Sequence, residues 1–336
     1  MNKKPAFVMP VKLNGGELEL RHFKAAVESI KCQTDTDWIL IMIDDFSDNK
    51  AVYEVIDGFK RELKEKLHVI YSEKNDGAGA SRNKGIAYAR EIGAPFILFN
   101  DSDDLSDPRR LELVRKAFED KTVNVVYTSF DVIDEIDDII PHDEISAPVR
   151  EIIDGHKVDV VEGEHAWIQI ATKKKYTNLT SCTAVRTALA GQEPFPNTSV
   201  SEDCHTWMRY GAHPGKFVFL REIKGKYRIC RGIQSRSRSQ HADFYEQMFK
   251  TDSEGFEQAM IRAKKLGTMD GRDEGEMRVA FYVRLALNLL HSGVVEYCKK
   301  SLNVSLNISK EKTMEYIDKL PCETEKKVYM KSLIMQ

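Results

Sequence analysis

The stretch Phe96-Ile97-Leu98-Phe99-Asn100-Asp101-Ser102-Asp103-Asp104 runs a short apolar segment straight into a cluster of carboxylates. The apolar part reads as a strand, so the acidic residues stand just past its carboxyl end. Three aspartates within four residues repel one another unless a cation neutralises them. Hard oxygen donors of this kind suit Mg²⁺ or Mn²⁺, ions that accompany phosphate-bearing substrates. A turn with Asx capping is the competing reading of a bare Asp-x-Asp. The strand before it argues against that, because aiming carboxylates into a cleft is costly without a counter-ion.

Working outward, apolar runs at 6–11, 38–43, 67–71, 96–99 and 123–130 read as strands. Helical spacing fills the gaps. Phe23, Ala26, Val27 and Ile30 share one face, as do Val52, Val55, Ile56, Phe59 and Leu63, and a third helix from Ala80 stops at Gly93. This order implies an α/β fold, a Rossmann-like, mostly parallel sheet flanked by helices. In open sheets ligands bind beyond the carboxyl ends of strands, where Pro10, Lys12, Asp44, Asp45, residues 73–79, Asp101 and Asp103 fall. Residues 131–165 read as an acidic, irregular excursion. Residues 224–241 hold six Lys or Arg and no acid, and read as a phosphate-side basic loop. From 243 to 336 the pattern is helical, with Val279, Tyr282, Leu285, Ala286 and Leu289 on one face, so a C-terminal α-helical domain is expected after a main domain at 1–242.

Composition narrows the class. The 336 residues are 42% hydrophobic and 31% charged, which allows a buried core and excludes disordered or fibrous classes. With 50 basic and 53 acidic residues, net charge −3, nothing draws the chain toward nucleic acid. Six cysteines without a CxxC pair argue against structural zinc and disulfides, and are expected as buried thiols. No apolar run suits a signal peptide or a span, so a cytoplasmic protein is expected, with the helical tail a candidate contact for a membrane surface or a second copy.

Several further residues invite chemistry. Asp44 and Asp45 could accept hydrogen bonds from a base or ribose, and Arg82 opens a helix near the strand ends. Ser199 and Glu202 have capping-box spacing, which starts a helix and places Asp203 in its first turn, where the macrodipole favours the ionised form. Asp203 is then a base at neutral pH. His241 is a candidate third metal ligand. An EF-hand is excluded by the missing glycine and closing glutamate, and a dehalogenase-type phosphatase places its Asp-x-Asp after the first strand rather than the fourth.

Taken together, PVKLN at 10–14, SIKCQT at 29–34, IDDFSDN at 43–49, GASRNKG at 79–85, FNDSDD at 99–104 and SED at 201–203 resemble glycosyltransferase family 2, enzymes of GT-A fold. The resemblance covers roughly residues 5–240. It implies a nucleotide-diphosphate sugar donor, commonly UDP-linked, with base and ribose held by Pro10, Asp44, Asp45 and Arg82, Asp101 and Ser102 near the ribose and diphosphate, and Arg236, Arg238 and His241 in a loop closing on the phosphates, where Lys12 is a further candidate contact. It further implies Mn²⁺ or Mg²⁺ on Asp103, Asp101 and His241, and Asp203 as the base of an inverting transfer to a glycan or other hydroxyl acceptor, as in surface polysaccharide synthesis. Lys12-Leu13 replaces the usual aromatic after the first strand, and Phe46 stands where glycine is common. A sugar-nucleotide-binding scaffold without transfer and a sugar nucleotidyltransferase are the rival readings.

Overall fold

The structure, a computed structural model, describes residues 3–173, 178–231 and 242–334. Among them, β1 (Ala6–Val11), β2 (Ile39–Asp44), β3 (Leu67–Tyr71), β4 (Phe96–Phe99), β5 (Val123–Ile133), β6 (Thr183–Arg186) and β7 (Lys216–Arg228) form one sheet in the order β3-β2-β1-β4-β6-β5-β7. The first four strands are parallel to one another, β6 runs antiparallel to β4 and β5, and β5 is parallel to β7. The sheet is therefore mixed, mostly parallel on the side that holds the strand ends of interest.

Side-chain alternation decides how the sheet is covered. Phe7, Met9 and Val11 of β1 join Leu40 and Met42 of β2 in one apolar cluster with residues of α1 (Glu17–Lys31), α2 (Lys50–Leu63) and α4 (Arg110–Ala117). Ala6, Val8, Ile41 and Ile43 point the other way, into a cluster with α3 (Ala78–Glu91), α6 (Ala166–Thr172) and α8 (Glu202–Gly211). The expected strands and the helix stop at Gly93, with φ +71°, are all present.

Three sequence expectations need correction. Residues 131–165 are not irregular throughout, because β5 runs on to Ile133 and α5 (Ala147–Val158) follows, its Ile152 buried against Phe130 and Val132. Residues 224–228 are not loop but the end of β7, paired with β5 from Ser129 to Ile133. No disulfide forms among the described residues, yet Cys32 is exposed and Cys230 and Cys322 are only partly covered.

The helical region comprises α9 (Phe244–Leu266), α10 (Glu274–His291), α11 (Val295–Ile308), α12 (Lys310–Lys319) and α13 (Thr324–Ser332), with α7 (Thr187–Gln192) lying earlier beside β6. It shares the second cluster. Phe256 of α9 stacks on Phe281 of α10 with ring centroids 4.1 Å apart, and Trp167 of α6 sits against Phe256. Nearly all of α10 from Met277 to Leu289 is buried, not the single face its spacing suggests, because helices surround it. Glycine permits a close crossing here: a Cβ on Gly255 would lie 2.7 Å from the His205 Cα, so α9 touches the backbone of α8. No helix among the described residues is long and apolar enough to cross a membrane.

Candidate active site

The parallel register brings four strand ends to one level. Val11 pairs with Asp44, Asp44 with Tyr71, and Val8 with Phe99, so the segments after β1, β2, β3 and β4 open side by side. Pro10 sits in this last part of β1, opposite Ile43. Lys12 follows and donates to the Phe46 carbonyl at 2.5 Å.

Asp44 and Asp45 are buried, and each carboxylate holds backbone. Asp44 accepts from the Ser47 N–H, whereas Asp45 accepts from Asp76 N–H at 3.0 Å and Gly77 N–H at 2.7 Å. These bonds fix the two loops that lead into α2 and α3. Remaining acceptor lone pairs on each oxygen are what a base or ribose would meet.

The acidic turn after β4 is pinned from several directions. Asp101 N–H donates to Ser181 Oγ at 2.9 Å, and Ser102 lies in the turn, half-buried. Arg110, buried, donates to the Phe99 carbonyl at 3.0 Å and to Ser106 Oγ at 3.1 Å. Arg228 donates to the Asp103 carbonyl at 2.9 Å and its backbone N–H to Asp104 Oδ1 at 2.9 Å. Burial, then the charges of Asp103 and Asp101, push the Asp104 carboxyl well above the usual carboxylate range. Asp104 thus belongs to the frame, while the Asp101 carboxylate is partly exposed at the rim of the turn.

Arg82 joins this turn to α8. Its guanidinium donates to Asp101 Oδ1 at 2.9 Å and to Glu202 Oε1 at 3.0 Å, and stands 5.4 Å from the centroid of the Phe195 ring. The two carboxylates hold it charged despite burial. Asp203 follows Glu202, half-buried, and accepts the Cys204 N–H at 2.7 Å. Desolvation, then the Glu202 charge and the more remote Asp252, raise Asp203 to about 7, against the opposing pull of Cys204 N–H and Arg82.

This corrects the helix-terminus argument, since burial among carboxylates outweighs the dipole. The capping box is absent too. The residue before α8 is Ser201, at φ +61° and without a capping bond, and its hydroxyl donates to Asp252 of α9 at 2.5 Å.

Sequence reading missed the Arg82–Glu202 pair, Ser181, Arg110, the inward turn of Arg228 and the part played by α9. Arg228 carried a misleading signal. It belongs to the basic segment, yet its guanidinium pairs with Asp137 at 2.6 Å, and Arg231 pairs with Asp134 at 2.9 Å. Arg236, Arg238 and His241 lie outside the described residues.

Among the described residues, no three His, Cys, Asp or Glu are grouped to hold a metal by themselves. The donor set nevertheless fits a hard divalent cation, because Mg²⁺ and similar ions are commonly held by one or two carboxylates and completed by substrate phosphates and water. Asp101 and Asp103 provide such a pair.

The family model described as Glycosyl transferase family 2 matches residues 19–185. An uncharacterized glycosyltransferase of Methanocaldococcus jannaschii is 28% identical over 214 residues, which cover 62% of this chain and 66% of that protein, just under two thirds of its length. In fold, the chain is similar to S. aureus TarS 1–349 in complex with UDP-GlcNAc, with TM-score 0.56, 15% identity and coverage of 94% and 92% of the two chains. It is also similar to the mannosyltransferase PcManGT of Pyrobaculum calidifontis in complex with GDP-Man and Mn²⁺, with TM-score 0.54, 14% identity and coverage of 91% and 88%.

Proposed function

Because the chain belongs to glycosyltransferase family 2, with the GT-A fold, we propose that it moves a sugar from a nucleoside-diphosphate donor to an acceptor hydroxyl with inversion. One observation carries the reading: Arg82 holds Asp101 and Glu202 at once, which joins the acidic turn after β4 to the first turn of α8, where Asp203 follows Glu202 and feels the Arg82 charge. Two solved structures of like fold contain UDP-GlcNAc or GDP-Man, which supports a nucleotide-sugar donor. UDP is the nucleotide carrier we favour, and the acceptor we favour is a hydroxyl of a growing surface glycan.

In this scheme the Asp203 carboxylate takes the proton of the acceptor hydroxyl as its oxygen attacks the anomeric carbon. The bond to the diphosphate breaks on the opposite side, and the electron pair leaves with the nucleotide. A value near 7 suits a base that must take a proton at neutral pH and then release it. Asp101 and Asp103 would hold Mn²⁺ or Mg²⁺, whose chemistry is to neutralise charge on the departing diphosphate. Asp44, Asp45 and Pro10 would line the base and ribose, and Lys12 and Ser102 the approach to the phosphates.

The test is a mass-spectrometric screen of UDP-, GDP- and dTDP-sugars for hydrolysis by the full chain, with and without added Mn²⁺. Hydrolysis of one donor class that Asp203→Asn abolishes while nucleotide binding persists is the expected result. Absence of hydrolysis and of nucleotide binding across the panel overturns the reading.

A further inference from the structure

Phe46 is an aromatic side chain in a backbone conformation that disfavours it. Its φ is +63°, in the left-handed region where the Cβ of a bulky residue crowds the backbone, and 40% of the residue stays exposed. It is thus strained without the compensation of burial. Glycine would relieve the strain, and a polar residue would suit the water.

The surrounding structure holds this conformation from every side. Asp45 N–H donates to the Val11 carbonyl at 2.7 Å, and Ser47 N–H to the Asp44 carboxylate at 3.3 Å. Ser47 Oγ accepts from Leu13 N–H at 3.1 Å, and the Asn49 amide donates to the Asn14 carbonyl at 2.7 Å. Lys12 bonds to the carbonyl of Phe46 itself, and its ammonium lies 6.0 Å from the ring centroid. A strained residue persists where its neighbours over-determine it, and such residues gather at ligand sites.

The position gives the ring its task. Phe46 follows Asp44 and Asp45 at the open end of β2, on the same rim as the 76–77 loop that Asp45 holds. We propose that Phe46 is the platform on which the nucleobase of the donor stacks, with the strain of its backbone keeping the ring out of the protein's own core. This deepens the transferase reading and rests on it. Any base has a π-face, so Phe46 sets affinity for the nucleoside, while the edge contacts of the buried Asp pair choose among bases.

The experiment uses the full chain, Phe46→Gly and Phe46→Tyr. Calorimetric titration measures UDP, or whichever of GDP and dTDP the unaltered chain binds, and inorganic pyrophosphate with Mn²⁺, while thermal melting is followed without ligand. Phe46→Gly is expected to raise the nucleotide Kd about tenfold, leave pyrophosphate binding unchanged, and raise the melting temperature as strain is relieved. Phe46→Tyr is expected to keep nucleotide affinity. Unchanged nucleotide affinity in Phe46→Gly overturns the proposal, as does equal weakening of nucleotide and pyrophosphate, which would mark a loop that merely shapes the site. If the unaltered chain binds pyrophosphate with Mn²⁺ but none of the nucleotides, the transferase reading fails first and the stacking role falls with it.

Discussion

The Ser201 hydroxyl donates to the buried carboxylate of Asp252 at 2.5 Å, tying the turn that begins α8 to the middle of α9. Thr198 and Thr251 meet beside it, with their hydroxyls 3.3 Å apart. The helical region therefore braces the turn before Asp203. Ser201→Ala is expected to lower kcat about ten- to a hundredfold, the scale of a small misplacement of a reacting group, with the donor KM little changed. Asp252→Asn keeps an acceptor for Ser201 but removes a negative neighbour of Asp203, so its kcat profile moves toward acid pH while that of Ser201→Ala does not. Steady-state rates against pH for the two variants check this.

For the unaltered chain, transfer is expected to rise with pH through about 7, because Asp203 must be ionised to accept a proton. The stability effect has the opposite sign. A carboxyl whose folded value lies above its unfolded value of about 4 favours the folded state at acid pH and loses that advantage as pH climbs through the folded value. Asp203→Asn should thus fall at least a hundredfold in kcat yet melt higher than the unaltered protein at pH 8, with little difference at pH 4. Melting curves at the two pH values, beside an activity assay, decide it.

Chelation provides a separate check on the acidic turn. Donor hydrolysis should vanish with a divalent-metal chelator and return when Mn²⁺ or Mg²⁺ is added in excess. Asp103→Ala should resist that rescue. Turnover indifferent to chelator would remove Asp101 and Asp103 from the proposed chemistry.

Arg82 is a stability determinant as well as a spacer. Replacing it with Met leaves Asp101 and Glu202 facing each other without a cation, at a position where the guanidinium is only 4% exposed. The cost is expected to be about 3 kcal/mol, the lower end for deleting one partner of a buried ion pair, since Asp101 itself is partly solvated. Urea unfolding at neutral pH measures it, and Arg82→Lys should recover part of the loss.

The parts of the fold written locally could be read directly. Residues 6–11, 67–71 and 96–99 are short apolar runs with punctuation on both sides, and each forms a strand over those same residues. Strand β6 could not, because Thr183–Arg186 is four residues of weak pattern made extended by pairing with β4 on one side and β5 on the other. The helix at 147–158 was hidden by acidic and proline-rich surroundings, although Pro148 suits a first helical turn. In the site, Asp101, Asp103, Arg82 and Asp203 stand in recognisable short motifs, and three-dimensional contact brings Arg82 between Asp101 and Glu202. What joins them was invisible, since Glu202 lies 120 residues from Arg82, and Asp252 comes from a helix whose sequence looks like ordinary amphipathic surface. The value of Asp203 was misjudged for the same reason, as desolvation is a property of the assembled structure.

The apolar side of the sheet covered by Trp167, Trp207 and Tyr210 is completed by Phe256, Met260 and Phe281 from the last third of the chain. During synthesis the first 230 residues leave the ribosome with that face still open. A premature stop before Phe244 would yield a polypeptide that displays greasy aromatic surface and lacks the anchor for Ser201, a substrate for chaperones and proteases rather than a smaller working protein.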